Sequence, residues 1–140
     1  MHRRTAIAAS VAVLVGAGIW AVVAVPRSYV EAQLAVGDDL RRLLADHPAI
    51  ATTALHDVVF AVVYAAAGTV LLRALRVRFG VVALLVVAVA DVVENLSLRV
   101  MAQRGSLGSL DELMRTAGVV KWIGVVAVVL LTVTPRTRHG

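Results

Sequence analysis

Residues 79–98 read FGVVALLVVAVADVVENLSL, and this stretch decides the fold class of the 140-residue chain. It is long enough to cross a lipid bilayer, which takes about 20 mostly apolar residues in a helix. Within it, Asp91, Glu94 and Asn95 stand at positions i, i+3 and i+4, which share one face of a helix. The stretch is therefore a predicted membrane span that carries a polar face.

The composition of the whole chain also favours a membrane protein. Hydrophobic residues make up 60% of the sequence and charged residues 16%, whereas soluble domains have about 45–50% and about 25%. A water-soluble globule of this size has too little interior to bury so much Val, Ala and Leu. The same figures exclude a disordered chain, and the lack of cysteine excludes a disulfide scaffold.

Three further apolar stretches are long enough to span a bilayer, so we predict an all-α fold, a four-helix transmembrane bundle. The four spans cover about residues 5–25, 49–72, 79–98 and 116–134 of a single integral membrane domain, residues 1–140. The first apolar run has about 20 residues, whereas a signal peptide has 7–15, so we expect it to be a retained anchor.

The distribution of basic residues sets the expected orientation. If the amino terminus is cytoplasmic, the inner segments are short and hold seven arginines and no acid. The longer outer segments hold six arginines, so the positive-inside rule predicts that both termini are cytoplasmic. Because these arginines lie at membrane edges, with no interleaved aromatic residues, no nucleic-acid partner is expected.

The preference for arginine over lysine also indicates the kind of organism that encodes the chain. Lys121 is the sole lysine among the 14 basic residues, in a chain rich in Ala and Val. This usage is typical of a bacterial genome with a high GC content. We therefore expect a multi-pass protein of the bacterial inner membrane.

A short amphipathic segment is expected outside the membrane, between the first and second spans. Leu40 and Leu44 lie one helical turn apart, with Arg41 and Arg42 on the other face. Gly37 suits a break between two short helices in this segment.

Polar residues of three different spans fall at a similar predicted depth. At 1.5 Å per residue, Asp57 and Asp91 lie about 12 Å and about 10 Å below the outer edge of the membrane. Glu94 and Lys121 lie about 6 Å and about 8 Å below it. A charged group near the centre of a membrane helix costs at least about 2.5–3.5 kcal/mol. These groups are therefore expected to meet in a polar pocket in the outer half of the bundle.

The candidate ligand-binding or proton-binding residues are the polar side chains at this depth and their helical neighbours. They are Asp57, Asp91, Glu94, Asn95, Lys121, His56 and Tyr64. Three acids against one lysine leave an excess of negative charge, which a protonated carboxyl, a bound cation or an inward-turning Arg99 or Arg115 would offset. The alternatives are ion pairs that only fix helix packing, and extension of Glu94 and Lys121 to the membrane surface.

No metal and no other cofactor is predicted. His56 and the three acids are suitable ligand types, but the sequence has no HExxH motif, no Glu-x-x-His pair and no cysteine. Glycine-rich nucleotide loops and nucleophilic triads are also missing from the sequence.

Two motifs in the middle spans resemble a pattern of small bacterial four-span membrane proteins of unknown function. They are Asp57-Val-Val-Phe60 with Tyr64, an Asp-x-x-Phe-x-x-x-Tyr second span, and Asp91-Val-Val-Glu94-Asn95, an Asp-x-x-Glu-Asn third span. The resemblance covers the two middle spans. It implies a four-span fold in which this polar cluster is important, and it implies no activity.

Three classes of function fit these features. The first, which we favour, is a binding or transport-associated protein whose acidic pocket holds a proton, a small cation, or an amine or lipid ligand. The second is a structural or accessory subunit, in which the acids pair with Lys121 or Arg99 and no pocket forms. The third is an acid–base enzyme acting on a lipid or isoprenoid, which needs a lipid-sized cavity at the carboxylates. The expected partners are the bilayer, a cationic or lipidic ligand, and either further copies of the chain or a larger membrane complex.

Overall fold

The computed structural model describes residues 3–105 and 107–134, which form six α-helices and no strand. The four long helices are α1 (Arg3–Ala24), α4 (Ala49–Ala74), α5 (Arg78–Arg104) and α6 (Gly108–Val133). Two short helices, α2 (Arg27–Leu34) and α3 (Asp38–Asp46), lie between α1 and α4 in the chain. Each long helix is sufficiently long and apolar to cross a membrane. The predicted all-α, four-helix fold is confirmed, and its helices are consistent with an integral membrane protein.

Two of the long helices extend past the predicted spans. Helix α5 continues from residue 98 to Arg104, and α6 begins at Gly108 rather than at residue 116. The predicted bounds followed the arginines, because charge marks the edge of a membrane, but a charged residue does not end a helix. Helix α5 ends instead at Gly105, whose φ of +64° is a left-handed conformation that glycine adopts without steric cost.

The long helices lie side by side in the order α1, α4, α5, α6, and neighbours run antiparallel. One hydrogen bond joins the start of α1 to the end of α4, because Arg3 Nε donates to the carbonyl oxygen of Ala74 at 2.9 Å. Helix α5 is the most buried of the four. Helices α4 and α6 flank α5 and meet mainly through it, so a groove can form between them.

Close packing of α5 on its two neighbours depends on glycine. A Cβ atom at Gly124 of α6 would lie 2.5 Å from Val87 Cγ2, closer than real Cβ atoms approach other groups. Gly68 of α4 makes the corresponding contact on the opposite side of α5. A Cβ atom at Gly68 would lie 2.6 Å from Leu84 Cδ2. Small residues at such positions let helices approach closely in lipid, where van der Waals packing drives association.

The short helices cover one end of the long ones, which we name the capped end. The amphipathic segment predicted here is observed as α3, in which Leu40 and Leu44 are buried while Arg41 and Arg42 are exposed. Gly37, with φ +57°, separates α2 from α3 as expected. Whether this end faces outward stays a prediction from the arginine distribution.

Most of the large buried apolar side chains gather at the capped end in one cluster, the capping core. It consists of Tyr29, Ala32, Leu40, Leu44, Ile50, Ala54, Leu98, Met101, Leu107 and Met114. These residues come from α2 to α6 and the turn before α6, so the cluster fastens both short helices to the ends of α4, α5 and α6.

Replacing Gly124 by Ala is expected to destabilise the folded protein by about 1–3 kcal/mol, because the β-branched Val87 side chain cannot turn away from the new methyl group. Gly16→Ala is the matched control, since no atom lies within 4 Å of a Cβ there. Helix propensity alone should make that change neutral or stabilising by up to about 1 kcal/mol. Unfolding in detergent by added dodecyl sulfate, followed by circular dichroism, gives both values. Equal stabilities would contradict the close contact.

Candidate functional site

The centre of the polar cluster is the face of α5 that carries Asp91, Glu94 and Asn95. All three side chains are buried, and Asn95 is 0% exposed. Their i, i+3 and i+4 spacing places them together, as the sequence predicts. Because buried polar groups are costly without partners, the contacts of these three residues determine what the cluster can do.

Asn95 joins carboxylates that belong to two helices. Its Nδ2 atom donates to Asp57 Oδ2 of α4 at 3.0 Å and to Asp91 Oδ1 of α5 at 3.3 Å. One neutral amide group therefore holds two acidic side chains beside each other. This arrangement keeps two like charges close without placing a cation between them.

Asp91 and Glu94 share the ammonium group of Lys121, which α6 contributes. Lys121 Nζ lies 3.1 Å from Asp91 Oδ1 and 2.5 Å from Glu94 Oε2. The Lys121 ammonium group is thus the partner of Glu94 Oε2. Tyr64 of α4 donates its hydroxyl proton to Asp91 Oδ2 at 3.1 Å. Both oxygens of Asp91 thus have partners inside the protein.

Two residues of α2 complete the cluster, and neither was predicted from the sequence to belong to the site. The hydroxyl of Tyr29 donates to Asp57 Oδ2 at 2.9 Å and also contacts Asn95 Oδ1. Gln33 Nε2 donates to the Tyr29 hydroxyl at 3.2 Å and to Asn95 Oδ1 at 3.4 Å. The only sequence signal for this pair is its i, i+4 spacing, which puts both side chains on one face of the short helix.

The Tyr29 hydroxyl stays a neutral donor. Its burial raises the pKa of this hydroxyl well above the usual value, and the negative charge of Asp57 raises the pKa further. Tyr29 therefore offers Asp57 a proton in a hydrogen bond and carries no charge of its own.

Asp57 is the acid of the cluster that has no cationic partner among the described residues. Lys121 serves the other two carboxylates. Arg99 and Arg115, which the sequence offered as inward-turning partners, make no ion pair with the cluster in the ranges 3–105 and 107–134. Both hydrogen bonds to Asp57 end on Oδ2, so within the described residues Oδ1 has no donor.

A cavity of about 380 Å³ adjoins the cluster between α4 and α6, with α5 as its floor; we name it the α4–α6 groove. Its polar end is formed by Gln33, Asp57, Asp91 and Lys121. Away from the capped end its lining becomes apolar, with Leu84, Val87, Val125, Val128 and Val129. Three aromatic side chains, Phe60, Tyr64 and Trp122, stand between these two parts. The groove therefore has a charged end and an apolar part.

His56 lies apart from this cluster. It is exposed and lines a second cavity of about 360 Å³ between α1 and α4, together with Trp20 and Phe60. The rings of Trp20 and Phe60 stack there, with centroids 5.7 Å apart. Adjacent residues of a helix point about 100° apart, so His56 faces the α1 side while Asp57 faces α5.

The structure brings six of the seven predicted site residues into one network, leaving out His56. In the described part of the chain, no three His, Asp or Glu side chains are arranged to hold a metal ion. No protein-family model, curated protein or solved structure matches this chain. The chemistry of the site must therefore follow from its own geometry.

Replacing Lys121 by Met is expected to destabilise the protein by about 3 kcal/mol, because the substitution leaves Asp91 and Glu94 buried without their cation. Adding Glu94→Gln should recover part of this loss by removing one uncompensated charge. Arg115→Met is the control on the same helix, exposed to solvent and expected to change stability by no more than about 0.5 kcal/mol. Dodecyl sulfate unfolding measures all three; equal stability of the Lys121 and Arg115 variants would show that the ion pairs contribute nothing.

Alkaline pH is expected to lower the free energy of unfolding, because the Tyr29 hydroxyl is harder to ionise in the folded protein than in the unfolded chain. A group whose pKa is raised on folding stabilises the fold below its unfolded pKa, here about 10, and this stabilisation is lost as the pH rises above it. Each further pH unit should cost up to about 1.4 kcal/mol. Tyr29→Phe removes the titrating group, so its stability should fall less than that of the parent between pH 8 and pH 11. Equal losses would contradict the raised pKa.

Proposed function

We propose that this protein binds an amphiphilic ligand in the bilayer, with a protonated amine as its head group. The amine occupies the polar end of the α4–α6 groove beside Asp57, and the apolar tail follows the valine-lined part. One observation carries this proposal. The groove ends at Asp57, a carboxylate that has no cationic partner among the described residues.

The charges of the cluster support an amine over a neutral head group. Three carboxylates and one ammonium group stand together, so a further positive charge offsets an unbalanced negative one. Asp57 Oδ1 has no donor in the described part of the chain, and Asp57 lines the groove. A hydrogen bond between an ammonium group and a carboxylate is stronger than one between neutral groups.

The route of access supports a ligand that comes from the membrane. The capping core covers the polar cluster at the capped end, where large apolar side chains such as Leu40, Leu98 and Met101 are fully buried. The groove lies instead between α4 and α6, along the apolar length of both helices. A lipid-like molecule can enter there sideways with its tail in contact with valine.

Binding fits the site better than acid–base catalysis does. The acid–base enzyme considered from the sequence needs one carboxyl group as proton donor and another as base. Asp91 is occupied on both oxygens by Tyr64, Asn95 and Lys121, and Glu94 lies against Lys121. Of the two acids that line the groove, Asp57 is the one with an oxygen, Oδ1, that has no donor among the described residues.

A structural role is the second candidate, and the ion pairs of Lys121 favour it. They connect α5 with α6 in the way that an accessory subunit held together by buried charges requires. A purely structural role does not explain the groove or the carboxylate of Asp57, which is unpaired among the described residues, so we rank it below ligand binding.

The remaining expectations belong to the same proposal. The protein lies in the bacterial inner membrane with both termini in the cytoplasm, which the short arginine-containing segments of the sequence support. The capped end is then the outer end, and the groove takes its ligand from the outer half of the bilayer. A homo-oligomer would add a further wall to the groove.

The proposal can be tested with Trp122, which lines the groove. In a Trp20→Phe background Trp122 is the only tryptophan, and the ring contact with Phe60 can be kept. Tail-brominated dodecylamine and equally brominated dodecanol are titrated into the purified protein in maltoside detergent, and quenching of Trp122 is recorded. The amine should quench at about tenfold lower concentration, since a charged hydrogen bond contributes about 1.5 kcal/mol.

The preference for the amine should depend on Asp57 alone. Asp57→Asn is expected to bring the two quenching curves together, whereas Asp46→Asn, an exposed acid of α3, should leave them apart. If the amine and the alcohol quench the parent equally, or if Asp57→Asn keeps the preference, the proposed function is wrong.

A further inference from the structure

A second concave site lies at the other end of the long helices, which we name the basic end. Here a tight turn connects α4 to α5. Arg73, Arg76 and Arg78 line one cavity of about 540 Å³ together with Val77 and Val81. This cavity belongs to a different part of the molecule from the α4–α6 groove and shares no lining residue with it.

No acid balances these arginines. The sequence has no Asp or Glu between Asp57 and Asp91, and none of the three guanidinium groups forms an ion pair within the described residues. Helix α1 begins at the same end and adds Arg3 and Arg4. The cavity is thus a concentrated positive charge with no counter-ion among the described residues.

Arg76 has an unusual backbone conformation for its residue type. Its φ is +62°, in the left-handed region that favours glycine. The surrounding hydrogen bonds form a Schellman motif, since the Val77 amide donates to the Leu72 oxygen at 2.8 Å and the Arg76 amide donates to the Arg73 oxygen at 3.0 Å. Glycine is the usual residue at this position of the motif, so an arginine here has a conformational cost.

We propose that this cavity binds the phosphate group of an anionic phospholipid. Guanidinium groups match phosphate with two parallel hydrogen bonds, and three of them surround the same space. Anionic lipids attract polybasic surfaces, and each basic residue near the membrane surface adds to this attraction. The proposal is independent of the amine site, because it uses neither Asp57 nor the α4–α6 groove.

The neighbourhood of the cavity favours a lipid over free phosphate. Phe79, directly after Arg78, is 78% exposed, and Val82 one turn later is also exposed. Val77 and Val81 contribute apolar surface to the cavity itself. A phospholipid can place its phosphate among the arginines and its acyl chains against these side chains, whereas inorganic phosphate uses the charges alone.

The test measures which lipids stay on the purified protein. The full chain is equilibrated in mixed micelles with equal amounts of phosphatidylglycerol and phosphatidylcholine, and native mass spectrometry counts the bound lipids. The parent should retain phosphatidylglycerol over phosphatidylcholine by at least about fivefold, which corresponds to about 1 kcal/mol. The triple variant Arg73→Gln, Arg76→Gln, Arg78→Gln should lose this preference.

A control triple variant separates the site from general charge. Arg41→Gln, Arg104→Gln and Arg115→Gln remove the same charge from exposed positions at the capped end, and this protein should keep the preference. If both triple variants lose it equally, or if the parent shows none, the proposal is wrong. If added inorganic phosphate displaces phosphatidylglycerol from the parent, the cavity binds phosphate but the lipid as its source is overturned.

A single substitution distinguishes loss of the site from loss of the fold. Arg76→Gly relieves the left-handed backbone, so its Tm should be equal to or above that of the parent. Its retention of phosphatidylglycerol should nevertheless fall about fivefold, since one of the three guanidinium groups is gone. A stable Arg76→Gly protein with unchanged retention would exclude Arg76 from the site and overturn the proposal.

Discussion

The amide of Asn95 is the contact on which the polar cluster depends. Its NH₂ group donates hydrogen bonds to carboxylates on two helices, and its oxygen accepts a hydrogen bond from Gln33 of α2. An amide has no net charge, so it can join two acids without neutralising either. A lysine here would neutralise one carboxylate, and a leucine would remove the hydrogen bonds that join the two carboxylates. Because Asn95 connects the acids, Lys121 is free to hold Asp91 and Glu94, and Asp57 stays available in the groove.

The sequence predicts the cluster where local geometry is sufficient. The i, i+3, i+4 spacing on α5 and the similar depth of the residues on α4 and α6 need only the rise and period of a helix. Tyr29 and Gln33 could not be found in this way, because α2 reaches the cluster through the packing of Leu40 and Leu44 in the capping core. His56 shows the same difficulty, since the sequence does not say which neighbour each face of α4 meets.

The helix ends show why charge is an incomplete guide to secondary structure. Arginine marks the edge of a membrane, so the predicted spans stopped at residue 98 and began again at residue 116. The helices continue through those charges, and the added turns carry Met101 and Met114 of the capping core. Without these turns the short helices would have little apolar surface to rest on, and Tyr29 would not be held over Asp57.

The order of the helices determines the width of the α4–α6 groove. Helix α5 lies between α4 and α6 and keeps them apart. Its side chains Leu84 and Val87 line the groove and pack against Gly68 of α4 and Gly124 of α6. Neither glycine lines the cavity. The width of the α4–α6 groove is therefore set by two glycines outside its lining, so a change at either glycine would alter the width and leave the residues of the charged end as they are.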